Sequence, residues 1–181
     1  PYLRQAIESV LMQECTYDYE IVISDDYSTD DTRLVCLELQ KEHPEKIRLI
    51  LNEKNKGVIE NYFDTMALCK GKYIADCSGD DYWISSSKLQ KQVDILEQND
   101  DVVLVHSNWK NYLQSRNTFV NDVKSVPPNY KQQLLDERDI PAFINQKNFS
   151  IVSINTCCYR REIGLQIYTE YSKYFDKNRY I

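Results

Sequence analysis

Two pairs of adjacent aspartates are the residues of this chain best suited to chemistry. Asp80-Asp81 follow Ser78-Gly79 in the stretch KYIADCSGDDYW, and Asp25-Asp26 follow the stretch EIVIS. Two like charges held close together raise each other's pKa, so such a pair is usually neutralised by a divalent cation, by basic side chains or by water. Because Ser, Gly and Asp are also ordinary turn residues, Asp80-Asp81 taken alone fits a metal site and a solvated turn equally well.

Each acidic pair comes directly after a segment that is predicted to be a β-strand. Residues 20–24 form an almost unbroken apolar run, which is typical of a strand buried on both faces of a parallel sheet, and residues 72–77 form a second strand. Apolar residues at helical spacing alternate with these strands, which predicts an α/β domain with a mainly parallel sheet and right-handed crossovers. The other predicted helices cover residues 2–13, 32–42 and 58–69 and a segment after Ser87, and the other predicted strands cover residues 47–51, 102–106 and 151–159.

The carboxyl ends of the strands are the expected ligand-binding edge. If residues 20–24 and 72–77 are parallel strands of one sheet, both acidic pairs lie on the same rim. Four carboxylates on one rim then need a cation-rich ligand, and a metal-bound nucleotide diphosphate meets that need. The polar loop with Lys56-Gly57 occupies a third rim position, where a lysine could approach phosphate. The competing interpretation is two unrelated solvated turns.

Composition limits the classes of function. The chain has 181 residues, enough for one domain, and its 28 acids against 22 bases give a net charge of −6, which weighs against nucleic-acid binding. Six cysteines without a CxxC pair predict buried free thiols, and therefore a reducing, cytoplasmic compartment, rather than a zinc site. The sequence contains neither a run of apolar residues long enough to span a bilayer nor a signal peptide.

Four motifs in order resemble the family 2 glycosyltransferases of the GT-A fold. They are YLRQAIESVLMQ, YEIVISDDYSTDDT, NEKNKGVIENYF and KGKYIADCSGDDYW, and they cover about residues 2–112. The resemblance implies a three-layer α/β/α sandwich with a Rossmann-like sheet. It assigns residues 1–112 to nucleotide-sugar binding and residues 113–181 to the acceptor side of one truncated domain. It also implies that the family's first strand precedes Pro1.

The resemblance implies roles for individual residues. Asp25 and Asp26 would contact the base and ribose of the nucleotide, with Lys56, Gly57, Ser78 and Asp80 completing the nucleotide site. Asp80 and Asp81 would hold Mg²⁺ or Mn²⁺ against the diphosphate. Ser78 stands where the family commonly has the first acid of its DxD motif, so we expect one contact there to be lost or made through a hydroxyl or water.

The sequence therefore predicts a metal-dependent, inverting glycosyltransferase that uses a nucleotide diphosphate sugar, with UDP-sugar the favoured donor, and a saccharide acceptor in polysaccharide or glycan biosynthesis. The general base is not identified: Asp176 is one candidate, and the base could also lie beyond Ile181. Segments outside this chain could provide peripheral membrane association. Two alternatives stay open, a catalytically incompetent domain that binds sugar nucleotides or acts as a scaffold, and an Mg²⁺-dependent phosphotransferase or phosphatase of another α/β fold.

Overall fold

The computed structural model describes residues 2–120 and 154–171, in which helices and strands alternate as the sequence predicts. The helices are α1 (Leu3–Leu11), α2 (Thr32–Glu42), α3 (Val58–Leu68), α4 (Lys88–Gln98) and α5 (Arg161–Tyr171). The strands are β1 (Ile21–Asp25), β2 (Ile47–Leu51), β3 (Tyr73–Ala75), β4 (Leu104–His106), β5 (Asn111–Leu113), β6 (Thr118–Val120) and β7 (Cys157–Arg160). Short 3₁₀ helices cover Gln114–Arg116 and Ile154–Thr156.

Hydrogen bonds join these strands into three sheets. β1 and β2 are parallel, with Ile21 opposite Ile47 and Asp25 opposite Leu51. β7 lies between β3 and β4 and is antiparallel to both, so β3 and β4 run in the same direction on either side of it. β5 and β6 form a separate antiparallel hairpin. The alternation of βα units is the predicted α/β architecture.

Two features of the sheets were not predicted. Of the strand predicted at residues 151–159, the described residues form a 3₁₀ helix (Ile154–Thr156) followed by β7 (Cys157–Arg160), and β7 runs antiparallel to both of its neighbours. The hairpin β5–β6 was not predicted, because its three-residue strands are too short to give a periodic pattern. Asn117 adopts the left-handed conformation that ends the 3₁₀ turn between these two strands.

The core forms where the helices cover the strands. α1 is amphipathic and buries Ala6, Ile7 and Val10, of which Ile7 and Val10 belong to one apolar cluster with Ile23 of β1 and Leu39 of α2. Burial of the apolar side chains on one face of a helix stabilises the fold by about 25 cal/mol for each Å² of apolar surface that is removed from water. α4 contributes Val93 and Leu96 to a second cluster with Cys158 of β7, Tyr73 and Ala75. The six cysteines are free thiols, as predicted, and three of them are buried.

α3 fixes the relative direction of β1 and β3, which are not hydrogen-bonded to each other. Near its start, Asn61 accepts a hydrogen bond from Ser24 of β1, and Tyr62 donates one to Asp76, just after β3. At its other end, the backbone N–H of Lys70 donates to Glu20, just before β1, and Tyr73 begins β3 three residues later. Both strands therefore run antiparallel to α3 and parallel to each other.

A cavity of about 880 Å³ separates β1 from β3. Ile21, Val22 and Ser24 line one side of it, and Tyr73, Ile74 and Ala75 line the other, with α1, α3 and α4 above and below. The expectation of one continuous sheet is therefore met only in part: the two strands share a direction and a rim but are not neighbours. Among the residues that the structure describes, no helix is both long and apolar enough to span a membrane.

Candidate active site

Both acidic pairs lie at the same edge of the fold, because β1 and β3 are parallel and each pair is located at or just after the carboxyl end of its strand. Asp25 is the last residue of β1, and Asp80-Asp81 belong to the turn that follows β3. Asp26 and Ser78 line the same cavity from opposite strands. Asp176 lies outside the described residues.

Asp25 is a buried member of an ion pair. Its side chain has no exposed surface, and its Oδ2 accepts a hydrogen bond from Arg33 Nε at 2.8 Å. Burial raises the pKa of Asp25, but hydrogen bonds from Ser28 and Arg33 outweigh burial and leave that pKa below its ordinary value. Arg33 also donates to the carbonyl of Asn52 after β2. Asp25 therefore ties the start of α2 to the ends of β1 and β2.

Asp26 is held by the loop that precedes α3. Its carboxylate accepts hydrogen bonds from the backbone N–H groups of Lys56 at 2.9 Å and Gly57 at 2.8 Å. Asn52 Nδ2 donates to the same carboxylate at 3.0 Å and to Asn61 at 2.8 Å. Gly57 has φ +83°, a backbone conformation that side chains with a Cβ rarely adopt. The ammonium of Lys56 pairs with Asp64 at 2.7 Å rather than pointing at the rim.

The first acidic pair is thus neutralised by the protein itself. The expectation that four carboxylates require a cation-rich ligand was wrong for Asp25 and Asp26, because a guanidinium and two backbone amides already offset their charge. The Asp26 carboxylate still lies beside the cavity, which keeps it in a position to meet a ligand.

The second pair belongs to a tight turn. The Asp81 N–H donates to the carbonyl of Ser78 at 3.1 Å, so the chain reverses over Gly79 and Asp80. Asp80 and Asp81 are both exposed, and among the described residues no side chain bonds to the Asp80 carboxylate. After the turn, the buried Trp83 anchors the loop by donating its backbone N–H to Ser9 Oγ at 2.9 Å.

Asn155 holds this turn from a distant part of the sequence. Its Oδ1 accepts from both the N–H of Ser78 at 3.1 Å and the Oγ of Ser78 at 2.8 Å, and its Nδ2 donates to the Asp81 carboxylate. Its backbone carbonyl accepts from Trp83 Nε1 at 3.3 Å. The sequence prediction missed these contacts, because Asn155 carries no motif and lies 74 residues beyond Asp81.

The donor set around Asp80-Asp81 is compatible with a hard divalent cation that shares its coordination with a ligand. In the described part of the chain, no three acidic, histidine or cysteine side chains come together to enclose a metal ion. Mg²⁺ is commonly held by one or two carboxylates together with substrate phosphates and waters, and Mn²⁺ favours the same carboxylate and water ligands. Two exposed carboxylates in the turn that follows Ser78, which itself lines the cavity, fit that mode of binding.

A second polar cluster lies deeper in the cavity wall. Tyr62 O–H donates to Asp76 Oδ2 at 3.2 Å, and the hydroxyls of Tyr62 and Tyr159 are 2.5 Å apart. Burial raises the pKa of Asp76 to about 6, although hydrogen bonds from the two tyrosines oppose this shift. No sequence pattern predicted this cluster, because its members come from β7, α3 and the segment after β3.

The chain matches the family model described as "Glycosyl transferase family 2" over residues 1–161. The chain belongs to this family. Together with the four ordered motifs and the paired acids on one rim, the match confirms the predicted family and leaves no observation in favour of the phosphotransferase alternative.

Relatives of this family 2 chain include proteins of Escherichia coli and Nostoc. It is 34% identical over 123 residues to the Escherichia coli protein WfaP, named UDP-Glc:alpha-D-GlcNAc-diphosphoundecaprenol beta-1,3-glucosyltransferase. The aligned region covers 67% of this chain and 45% of WfaP. It is 39% identical over 105 residues to an uncharacterized glycosyltransferase of Nostoc, over 58% of this chain and 32% of that protein. The chain thus spans less than half the length of these relatives.

Solved structures confirm the GT-A fold. TarS of Staphylococcus aureus in complex with UDP superimposes with a TM-score of 0.62 at 17% identity, over 99% of this chain and 47% of that one. The mannosyltransferase PcManGT from Pyrobaculum calidifontis, in complex with GDP-Man and Mn²⁺, gives a TM-score of 0.51 at 21% identity, over 59% of this chain and 31% of that one.

Proposed function

We propose that the protein transfers a sugar from a nucleotide diphosphate sugar, with a UDP-sugar as donor, to a hydroxyl group of a saccharide acceptor in glycan or polysaccharide biosynthesis. One observation carries the proposal: two acidic pairs from parallel strands lie at one rim, beside a cavity that Asp26 and Ser78 both line. The names of WfaP and of TarS in complex with UDP support UDP as the nucleotide.

In this proposal the two pairs have different tasks. Asp80 and Asp81 hold Mg²⁺ or Mn²⁺, which offsets the negative charge that develops on the nucleoside diphosphate leaving group. Asp26 accepts a hydrogen bond from the base or ribose. Asp25 binds Arg33, which donates to the carbonyl of Asn52, and the Asn52 side chain donates to Asp26. Asp25 thereby helps to hold Asp26 in place. Lys56 and Gly57 hold the Asp26 carboxylate through their backbone amides. Ser78 offers a hydroxyl to the nucleotide site at the position where an acid is usual.

Inversion at the anomeric carbon requires a general base that removes the proton of the acceptor hydroxyl. Asp176 is our candidate within this chain. Cytoplasmic localisation and peripheral association with a membrane through further segments complete the proposal, and they agree with free thiols and with a donor made of a charged nucleotide.

The deciding experiment measures UDP binding by isothermal titration on the full-length protein, with and without Mn²⁺. We expect Mn²⁺ to tighten UDP binding at least tenfold, and Asp80→Ala or Asp81→Ala to abolish this gain. Asp100-Asp101 is the matched control, since it is another exposed acidic pair, located between α4 and β4. UDP binding that is indifferent to metal, or equal loss in Asp100→Ala, would overturn the proposal.

The catalytically incompetent alternative is favoured by Ser78, which replaces an acid and whose O–H donates to Asn155, so that only the lone pairs of its oxygen are left for a ligand. A domain of that kind binds the donor without transferring or hydrolysing it. Product analysis after incubation with UDP-sugars and Mn²⁺ separates the two candidates, because transfer or slow release of free sugar occurs only in the enzyme.

A further inference from the structure

Asn155 makes contacts that go beyond packing. Its side chain spans the turn that carries the second acidic pair, with the amide oxygen on Ser78 and the amide nitrogen on Asp81. The orientation of the amide is determined by chemistry: the N–H of Ser78 can only donate, so the oxygen must face Ser78, and the NH₂ group therefore faces the carboxylate.

The consequence for Asp81 is a fixed carboxylate. Asn155 Nδ2 donates a hydrogen bond to Oδ2 of Asp81, and Oδ1 of Asp81 has no such donor among the described residues. A neutral donor holds the carboxylate in place without cancelling its charge, whereas a lysine or arginine at this position would compete with a cation. Groups that hydrogen-bond metal ligands in this way commonly change metal affinity 10–100-fold when they are removed.

The turn is fixed from a separate part of the fold. Asn155 lies in the 3₁₀ helix Ile154–Thr156, directly before β7, and the backbone of the same residue accepts from Trp83. β7 in turn pairs with β3, which leads into the turn. The acidic turn is thus attached at both ends to one rigid unit, and the Asn155 side chain is the contact that reaches its carboxylate.

We propose that Asn155 is a positioning residue, which orients the Asp81 carboxylate for a divalent cation. The inference rests on the proposed function, because it assumes that Asp80-Asp81 is the cation site. It assigns to a neutral amide from the acceptor-side half of the chain a role that is absent from the motifs themselves. The amide and Ser78 together take the place next to Asp81 that a further acid would otherwise occupy.

The test compares UDP affinity with and without Mn²⁺ in the full-length protein and in Asn155→Ala. We expect the Mn²⁺-dependent gain in UDP affinity to fall about tenfold, while metal-free UDP affinity and the melting temperature stay close to the parent values. Asn155→Leu keeps the side-chain volume but removes the amide. It should therefore show the same loss of the Mn²⁺-dependent gain, even if the smaller alanine destabilises the 3₁₀ helix. Asn108→Ala is the matched control, because the Asn108 side chain is exposed and, within the described part of the chain, accepts from the N–H of Trp109 alone.

The outcomes separate this inference from the proposed function. A parent protein without any metal-dependent gain contradicts the proposed function. A parent protein with that gain, combined with an Asn155→Ala variant that retains all of it, overturns the inference alone. Equal weakening of UDP binding with and without metal also overturns it, since that pattern indicates a structural role rather than positioning of a metal ligand.

Discussion

At the scale of single residues, the buried carboxyl group of Asp25 and the partly buried carboxyl group of Asp76 act in opposite ways on the pH dependence of folding. The folded-state pKa of Asp25 is lowered, so its contribution to stability is present above the unfolded pKa and is lost as the pH falls through the folded pKa. The folded-state pKa of Asp76 is raised to about 6, chiefly by burial. Asp76 therefore ionises at a lower pH in the unfolded chain than in the folded protein. As the pH rises from about 4 to about 6, Asp76 makes folding less favourable.

We expect Asp76→Asn to stabilise the protein by about 3 kcal/mol above pH 6, because the pKa of Asp76 is raised to about 6, each unit of pKa shift corresponds to about 1.4 kcal/mol, and the amide carries no charge to bury. The gain should disappear below about pH 3, where the parent carboxyl is protonated in both the folded and the unfolded state. Urea denaturation of both proteins at several pH values measures this difference. Asp101→Asn, at an exposed position, should leave the profile unchanged. Parallel profiles for Asp76→Asn and the parent protein would contradict the assignment.

At the scale of helices and strands, the sequence was a good guide wherever the signal is local. The predicted bounds of β2 coincide with Ile47–Leu51, because an apolar run between polar loops is sufficient to define a buried strand. The direction of β7 could not be predicted, since CCYR fits parallel and antiparallel pairing equally. The acidic turn was recognisable because its residues are adjacent, whereas Asn155 meets Asp81 only after β7 has paired with β3.

Arg160 caps the carboxyl end of α4, against which the structure places it. Its guanidinium donates to the carbonyls of Leu96 at 2.7 Å, Asn99 at 3.1 Å and Val102 at 2.9 Å. The last carbonyls of a helix lack intrahelical partners, and a cation there also interacts favourably with the helix dipole.

We expect Arg160→Ala to cost about 3 kcal/mol of unfolding free energy, because it leaves buried carbonyl groups without donors. Urea denaturation measures the cost, and hydrogen exchange should locate the increased opening in the last turn of α4. The matched control is Arg161→Ala: Arg161 donates to the carbonyl of Gly71 at the surface, and its removal should cost less than 1 kcal/mol. Similar costs for the two variants would show that Arg160 does not cap the helix.

At the scale of the whole molecule, the cavity between β1 and β3 has the properties of a vacant strand position. Ile21 and Asp25 bond toward β2, so the alternating geometry of a strand turns the backbone groups of Val22 and Ser24 toward the cavity. Lys72 bonds toward β7, which likewise turns Tyr73 and Ala75 toward the cavity. Buried backbone groups are almost always hydrogen-bonded, so two such edges facing one cavity require a partner between them.

The start of α1 indicates where that partner comes from. The Leu3 side chain packs against Gly79, so α1 begins at the same rim as α2 and α3. In each of those βα units a strand ends at the rim and its helix returns along the sheet. We therefore expect a strand that precedes α1, in chain before Pro1, to run parallel to β1 and to fill the cavity.

Hydrogen exchange of individual amides tests this arrangement. In a protein that includes the preceding segment, the amides of Val22, Ser24, Tyr73 and Ala75 should exchange much more slowly than in the chain 1–181 alone. The amides of Ile21 and Ile23 are the internal control, because β2 protects them in both proteins. Unchanged exchange at Val22 and Ser24 would mean that the cavity is not a strand position. Protection already present in the chain 1–181 would assign the partner strand to another part of this same chain. Added stability should accompany the slower exchange, since a strand in this position joins the two halves of the acidic rim through one sheet.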